Sequence, residues 1–408
     1  MVWNKYRLEE LSISIQTGPF GSQLHQTDYS DSGTPVIMPK DMVGGKIVTN
    51  DIARVADLHV QRLKRHKVDV GDIIYSRRGD VGRCSLITEN EIGWLCGTGC
   101  LKVSLDKTKV IPSFLFYILQ RKDSVGWVEN HAVGATMPNL NTGILSKLPV
   151  NIPPLKVQRR IASILSAYDN LIENNTRRIR LLEQMAENLY KEWFVRFRFP
   201  GHEKVEFENG LPRGWKLFNA EEHYKISIGK TPPRKEFEWF TKGNSTAQNW
   251  LSISDMNGIF VSNTDEQITQ AAVSRFNMVV APKNSILLSF KLTVGRVAIA
   301  AIPLCTNEAI AHFKEVPKTE REFLYLQLKL YEYGSLGNTS AIGNAINSKI
   351  VKGMPLILPS EKVLTRFHCV MKPVFDSIES LMKGNEILTR QRDLLLPRLM
   401  SGKLEVKE

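Results

Sequence analysis

The sequence predicts an α+β protein: two mixed α/β heads separated by two long helices packed as an antiparallel coiled coil, one half of the chain repeating the other with pseudo-twofold symmetry. The first observation is a hydrophobic seam, Ile161, Leu165, Tyr168, Ile172, Asn175, Ile179, Leu182, Ala186, Leu189, Trp193. A second series, Phe367, Met371, Val374, Ile378, Leu381, Asn385, Leu388, Arg392, Leu395, Leu399, lies 206 positions further on. Both alternate steps of four and three, the spacing of a helix–helix seam. The second observation is that each series contains one asparagine. The third is that fragments of the globular stretches also recur. A repeat this long is too large for a solenoid unit, so a whole module is duplicated.

Residues 1–152 form the first head in this reading. Thr34-Pro-Val-Ile-Met-Pro, Gly71-Asp-Ile-Ile-Tyr-Ser and Cys100-Leu-Lys-Val-Ser-Leu are strand-like runs bounded by turn residues. Ser113 to Arg121 reads as a short helix after Pro112, with serine as its N-cap. Pro153-Pro154 closes the head and opens a helix, because proline is tolerated at a helix start and not inside one. The spacer helix runs from Leu155 to about Phe197 within residues 153–199 and stops at Arg198-Phe-Pro-Gly-His.

The second head, 200–359, opens at Leu211-Pro-Arg-Gly-Trp215. Ser285-Ile-Leu-Leu-Ser-Phe and Gly295-Arg-Val-Ala-Ile-Ala are its strand-like runs, and Glu322 to Tyr331 its short helix. Lys352-Gly-Met-Pro-Leu-Ile-Leu-Pro359 parallels Lys147-Leu-Pro-Val-Asn-Ile-Pro153. A second long helix, Glu361 to Leu399, occupies 360–408. Asp80-Val-Gly-Arg-Cys-Ser-Leu-Ile matches Thr293-Val-Gly-Arg-Val-Ala-Ile-Ala at an offset of 213 instead of 206, so the heads have drifted while the helices kept one register.

Laid antiparallel, the seams pair when residue numbers sum to 560, which sets Ile161 against Leu399, Trp193 against Phe367, and Asn175 against Asn385. A polar pair in such a seam costs stability and fixes register. Arg392 then faces Tyr168, its stem packed and its guanidinium reaching solvent. Pro373 and Pro397 are expected to kink the second helix near its ends. About 37 helical residues span roughly 55 Å, against about 34 Å for one turn of B-DNA. Such a rod can act as a ruler between two recognition events.

Composition narrows the partners. The 54 Lys+Arg against 42 Asp+Glu leave a net charge of +12, which favours a polyanion such as nucleic acid. No apolar run approaches the ~20 residues of a membrane span, and Met1-Val2-Trp3-Asn4-Lys5 lacks the start of a signal peptide. Five scattered cysteines fit a reducing, cytoplasmic setting and not a disulfide framework.

Catalytic patterns are missing. Gly229-Lys-Thr231 resembles part of a phosphate-binding loop, but Tyr224 stands where the first glycine belongs and Pro232-Pro233 forbid the following helix. Gly97-Thr-Gly99 leads into a strand, unlike a dinucleotide fingerprint. Asn151-Ile-Pro-Pro154 has an inserted isoleucine relative to the adenine-methyltransferase tetrapeptide, and Leu155 follows in place of an aromatic. Cys96 and Cys100 lack a second pair to complete a metal tetrad. His131, beside Glu129 and Asn130, reads as a surface turn. No catalytic residue, metal or cofactor is expected.

Pro153-Pro-Leu-Lys-Val-Gln-Arg-Arg-Ile-Ala162, Tyr168-Asp-Asn-Leu-Ile-Glu-Asn-Asn-Thr-Arg-Arg-Ile179, Tyr190-Lys-Glu-Trp-Phe-Val-Arg196 and Arg392-Asp-Leu-Leu-Leu-Pro-Arg-Leu-Met-Ser-Gly402 resemble conserved regions of the specificity (S) subunits of Type I restriction–modification systems. Gly134-Ala-Thr-Met-Pro-Asn-Leu-Asn141 resembles the end of that family's first target-recognition domain. The second copy departs from the pattern, reading Leu-Pro-Ser-Glu-Lys-Val where the first has Pro-Pro-Leu-Lys-Val-Gln. The resemblance implies two target-recognition domains, each reading half of a bipartite site in double-stranded DNA. It also implies spacer helices that dock two methyltransferase (M) subunits, which methylate adenine with S-adenosylmethionine, and restriction (R) subunits that cut unmodified DNA using ATP. A stand-alone two-headed DNA-binding regulator is the alternative, and a fused restriction enzyme a second; co-purification with M subunits separates the first, activity of the isolated chain the second.

Phosphates are contacted by Lys and Arg, and base edges by Arg, Lys, Asn, Gln and Ser/Thr. The DNA-contacting candidates are Gln16, Thr17, Ser22, Gln23, Lys40, Arg77 and Arg78 in the first head. In the second they are Lys230, Arg234, Lys235, Lys291 and Arg296.

Overall fold

A computed structural model describes residues 3–134, 138–336 and 346–405. Ala135, Thr136 and Met137 of the Gly134–Asn141 segment lie outside the described residues. The chain forms two compact units, residues 1–171 with 388–408, and residues 172–387. Each long helix contributes to both.

In the first unit, strands Ser12–Thr17, Cys100–Leu105, Ile73–Ser76 and Cys84–Leu86 make an antiparallel sheet in that order. A second sheet has the order Leu95–Cys96, Thr34–Ile37, Arg54–Val55, Tyr29–Ser30, its first pair parallel. The second unit repeats both. Lys225–Ile228, Ile310–Lys314, Ile286–Ser289 and Val297–Ala300 form one sheet, extended by Phe260–Val261. Cys305–Thr306, Gln248–Leu251, Glu266–Ile268 and Phe240–Thr241 form the other. Even the register repeats: Tyr75 pairs with Cys84, and Leu288 with Val297. Strand Pro149–Ile152 pairs with Asn4–Arg7 as Pro355–Leu358 pairs with Lys216–Asn219. Asn141 and Asn347 each accept a backbone N–H as N-caps of the short helices that follow.

The short helices span Pro112–Leu119 and Arg321–Lys329. The first long helix covers Leu155–Tyr190 and ends in a π-turn, Lys191–Val195. The second covers Glu361–Met400 without interruption at Pro373 or Pro397.

The helix seams close inside each unit. In the first, Ile161 and Leu165 share a core with Leu395, Leu399, Leu115 and Phe114. In the second, Ile179, Leu182, Ala186, Leu189 and Trp193 share one with Phe367, Met371, Val374 and Ile378. Trp193 and Phe367 ring centroids lie 5.5 Å apart. Asn175 Nδ2 donates to Asn385 Oδ1 at 2.9 Å, so these two segments run antiparallel. Ile172, Leu381 and Leu388 are half-buried. The seam buries its apolar faces and leaves the amide pair satisfied, which keeps its cost low.

Arg392 departs from the expected snorkelling geometry. Its guanidinium is held by Asp169 at 2.7 Å, and Tyr117 Oη donates to the other Asp169 oxygen at 2.5 Å. Burial first, then the Asp169 carboxylate, pushes the Tyr117 phenol up. Gln158, buried at the start of the same helix, accepts from Ile111 N and donates to the carbonyls of Lys109 and Pro153. Its neighbour in the repeat is the buried Leu364.

Candidate nucleic-acid interface

At one end of each large sheet three loops are stitched together by equivalent backbone bonds. In the first unit Gly18 N donates to Cys100 O at 2.9 Å and Arg77 N to Gly99 O at 2.8 Å. In the second, Gly229 N donates to Ile310 O at 3.1 Å and Phe290 N to Ala309 O at 2.9 Å. Gly18 and Gly229 are required by this closeness. A Cβ would stand 2.0 Å from Gly97 O in one case and 2.1 Å from Asn307 O in the other. The loop leaving the first strand therefore lies against the loop entering the second, with the hairpin tip beside them.

These loops carry most of the sequence-nominated residues, in different states. Ser22 and Arg78 are exposed, and Arg77 donates from Nε to Asn139 Oδ1 at 3.1 Å. Gln23 is half-buried, with Oε1 enclosed and unbonded among the described residues. In the second unit Lys235 and Lys291 are exposed. Arg234 donates to both oxygens of Glu266 at 2.9 Å and lies over the rings of Phe240 and Trp250, 4.4 and 4.6 Å from their centroids.

Four candidates spend their polar ends on the protein's own carbonyls. Gln16 Nε2 donates to Arg65 O at 2.7 Å, Lys40 Nζ to Asp51 O at 2.8 Å, and Lys230 Nζ to the carbonyls of Phe276 and Asn277 at 3.0 Å. Arg296 Nη1 donates to Ile253 O at 3.0 Å, as its repeat partner Arg83 does to Met42 O at 3.1 Å. Thr17 ends its strand half-buried.

Sequence reasoning missed Glu308. It accepts from the Thr231 hydroxyl, which with the nearby charges of Lys291 and Arg234 holds its carboxyl below the ordinary range. A carboxylate among cations at a loop tip can accept from a cytosine amine. Two apolar groups, Phe20 at 55% and Phe237 at 81% exposure, also stand on these loops.

Cys96 and Cys100 are both buried, and burial pushes the Cys96 thiol up to about 12. Among the described residues there is no metal-binding group of His, Cys, Asp and Glu, and no helix long and apolar enough to cross a membrane. His131, which the sequence reads as a surface turn, is instead the last residue of the helix Lys122–His131, its ring stacked on Trp127 at 3.9 Å.

Comparison with known proteins gives these loops their context. The "HindI" Type I restriction enzyme specificity subunit of Haemophilus influenzae is 26% identical over 474 residues, covering 98% of this chain and 99% of that protein. The "MjaIX" Type I restriction enzyme specificity subunit of Methanocaldococcus jannaschii is 24% identical over 396 residues, covering 93% and 89%. The crystal structure of the Type I restriction–modification S subunit from M. genitalium shares the fold, with a TM-score of 0.62 at 16% identity over 98% of this chain and 96% of that one. The pattern of the Type I restriction modification DNA specificity domain matches twice, at residues 2–184 and 212–384, and the chain belongs to that family.

Proposed function

We propose that this chain is the non-catalytic DNA-recognition subunit of a Type I restriction–modification complex, reading a bipartite duplex site with one half-site per head. The observation that carries this reading is the same three-loop arrangement at the same sheet end in both heads. Identical scaffolds with different loop residues suit the reading of two different sequences, because base readout needs specific side chains and phosphate contacts need only charge. Ser22, Gln23, Arg77 and Arg78 in the first head, with Arg234, Lys235 and Lys291 in the second, face the DNA in this scheme. Gln16, Thr17, Lys40, Lys230 and Arg296 hold the loops in shape. The net charge of +12 supplies the counterion-release attraction.

Two methyltransferase subunits dock on the long helices and carry out methylation, restriction subunits join them, and the assembly works in the cytoplasm. The test is co-expression of the full chain with its host's methyltransferase subunit, followed by affinity capture and mapping of methylated adenines. A two-part motif with a fixed gap, present only when both proteins are present, is the expected result. A chain that captures no methyltransferase, or that binds specific DNA alone, overturns the reading in favour of a stand-alone regulator.

A further inference from the structure

The hairpin tips of the two heads share a backbone and differ at one residue in an informative way. The matched Val-Gly-Arg segments set Leu292 of the second head opposite Gly79 of the first. Both adopt the left-handed region, Gly79 at φ 75° and Leu292 at φ 60°. Glycine enters this region freely, whereas a leucine pays for its Cβ. Other bulky residues of positive φ here are held by contacts: Phe197 packs its ring against Phe207 and Trp215, and Glu315 pairs with Lys225. Leu292 has no comparable support, its surface being 97% exposed. The chain thus keeps a strained backbone in order to project an apolar side chain into solvent, a pattern that belongs to sites of contact.

The surroundings say what it contacts. Lys291 precedes it and is exposed, and Arg234 lies close enough that both cations act on the same Glu308 carboxylate. Cations beside an exposed apolar tip match a duplex groove, where phosphates flank base edges. The one apolar feature on a base edge in the major groove is the C5-methyl group of thymine.

We propose that Leu292 is a specificity-determining residue of the second head, packing against a thymine methyl in its half-site. This rests on the DNA-recognition reading above. Lys291 anchors the neighbouring phosphate and the hairpin tip delivers the leucine to the groove floor. The first head, with Gly79 at that place, makes no such contact and reads its half-site by polar groups.

The test uses the full chain assembled with its methyltransferase subunits, and duplexes carrying either thymine or uracil at each thymine of the mapped site. Removing the methyl at one position of the second half-site is expected to weaken wild-type binding about four-fold, the worth of one methyl-sized apolar contact. Leu292→Gly and Leu292→Ala are expected to lose that discrimination, and Leu292→Gly also relieves the backbone. Uracil in the first half-site changes neither protein through this residue. If both variants bind thymine and uracil duplexes with the wild-type ratio while the complex still methylates its site, Leu292 is not a reader and the DNA-recognition reading stands. If the wild-type assembly shows no sequence-specific binding, both fall together. Partial unfolding of a variant appears as weakened binding to all duplexes alike; wild-type thymine discrimination retained by the fraction that still binds counts against the proposal.

Discussion

Asp169 and Phe375 occupy the same position in the two copies of the long helix, as do Arg392 and Ala186, yet the chemistry around them is opposite. In the first unit Asp169 is bound by Arg392 and by the Tyr117 hydroxyl of the short helix. In the second, Phe375 and Ala186 are buried, and the Phe375 ring meets Tyr325 of the short helix edge-on at 5.5 Å. Gln158 and Leu364 repeat the contrast at the helix entry. The second unit keeps its polar fastening elsewhere. Glu322, wholly buried, accepts from Arg321 and is bonded to His368 at 2.7 Å, where the first helix has Ala162. One backbone arrangement therefore tolerates either solution at each turn, provided that every partner changes together. Polar networks are costly when half-satisfied, so single exchanges between the copies should fail where concerted ones succeed.

The largest effect is expected from Phe375→Ala, which empties a fully buried ring site and should cost ~3–5 kcal/mol. Hydrogen exchange on the intact chain should localise the loss to the second unit; equal loss in both units would show that they unfold as one. Asp169→Ala comes next. It strands a half-buried guanidinium and a buried phenol, and should cost ~2–3 kcal/mol, with faster exchange in Pro112–Leu119. The short helices match Phe114-Leu115 to Phe323-Leu324, which sets Tyr117 against Leu326. The triple change Tyr117→Leu, Asp169→Phe, Arg392→Ala therefore puts the counterparts Leu326, Phe375 and Ala186 into the first unit, and urea unfolding should show most of that loss recovered. No recovery would mean that the two joints differ in backbone as well as in side chains.

The smallest effect is one the heads share. His66 and His312 are both buried, and burial lowers each to about 4, with like charges from Arg65 and Lys102 adding to His66 and from Lys314 to His312. A histidine depressed below its unfolded value of ~6.5 stays neutral in the folded protein, so its stabilisation is complete above that pH and drains away as pH falls towards 4. Each should cost roughly 1 kcal/mol between pH 7.5 and 5.5. His312 is bonded to Thr306 at 2.6 Å and Ser227 at 3.3 Å, so His312→Gln should flatten the response of the second unit alone.

The repeat, the seam and the asparagine pair were legible in the sequence because each is a matter of spacing along one chain. So were the strands around Ile73–Ser76 and Cys100–Leu105 and both short helices. Partners were not. Nothing in the order of residues marks Asp169 as the group that meets both Arg392 and Tyr117, since that depends on how a head packs on its helix. The same holds for the interface candidates. A lysine on a loop looks alike whether it meets a phosphate or, like Lys230, two carbonyls of its own head. The matched Val-Gly-Arg segments did contain one readable clue, a leucine standing where the other copy turns on a glycine.

The asparagine pair adds something that a symmetric seam lacks. The repeat positions of its two members are Leu381 and Ile179, so the pair has no counterpart across the repeat, and its bond, pointing from donor to acceptor, makes the two members unequal as well. Asn175 gives its amide hydrogen to Asn385, whose own amide turns to Thr176 Oγ1 at 3.3 Å. The repeat position of Thr176 is Met382, which offers no hydroxyl to return the favour. The joint is thus an arrow as well as a latch: it distinguishes the first copy from the second, and a chain with its halves transposed would carry that threonine on the wrong helix.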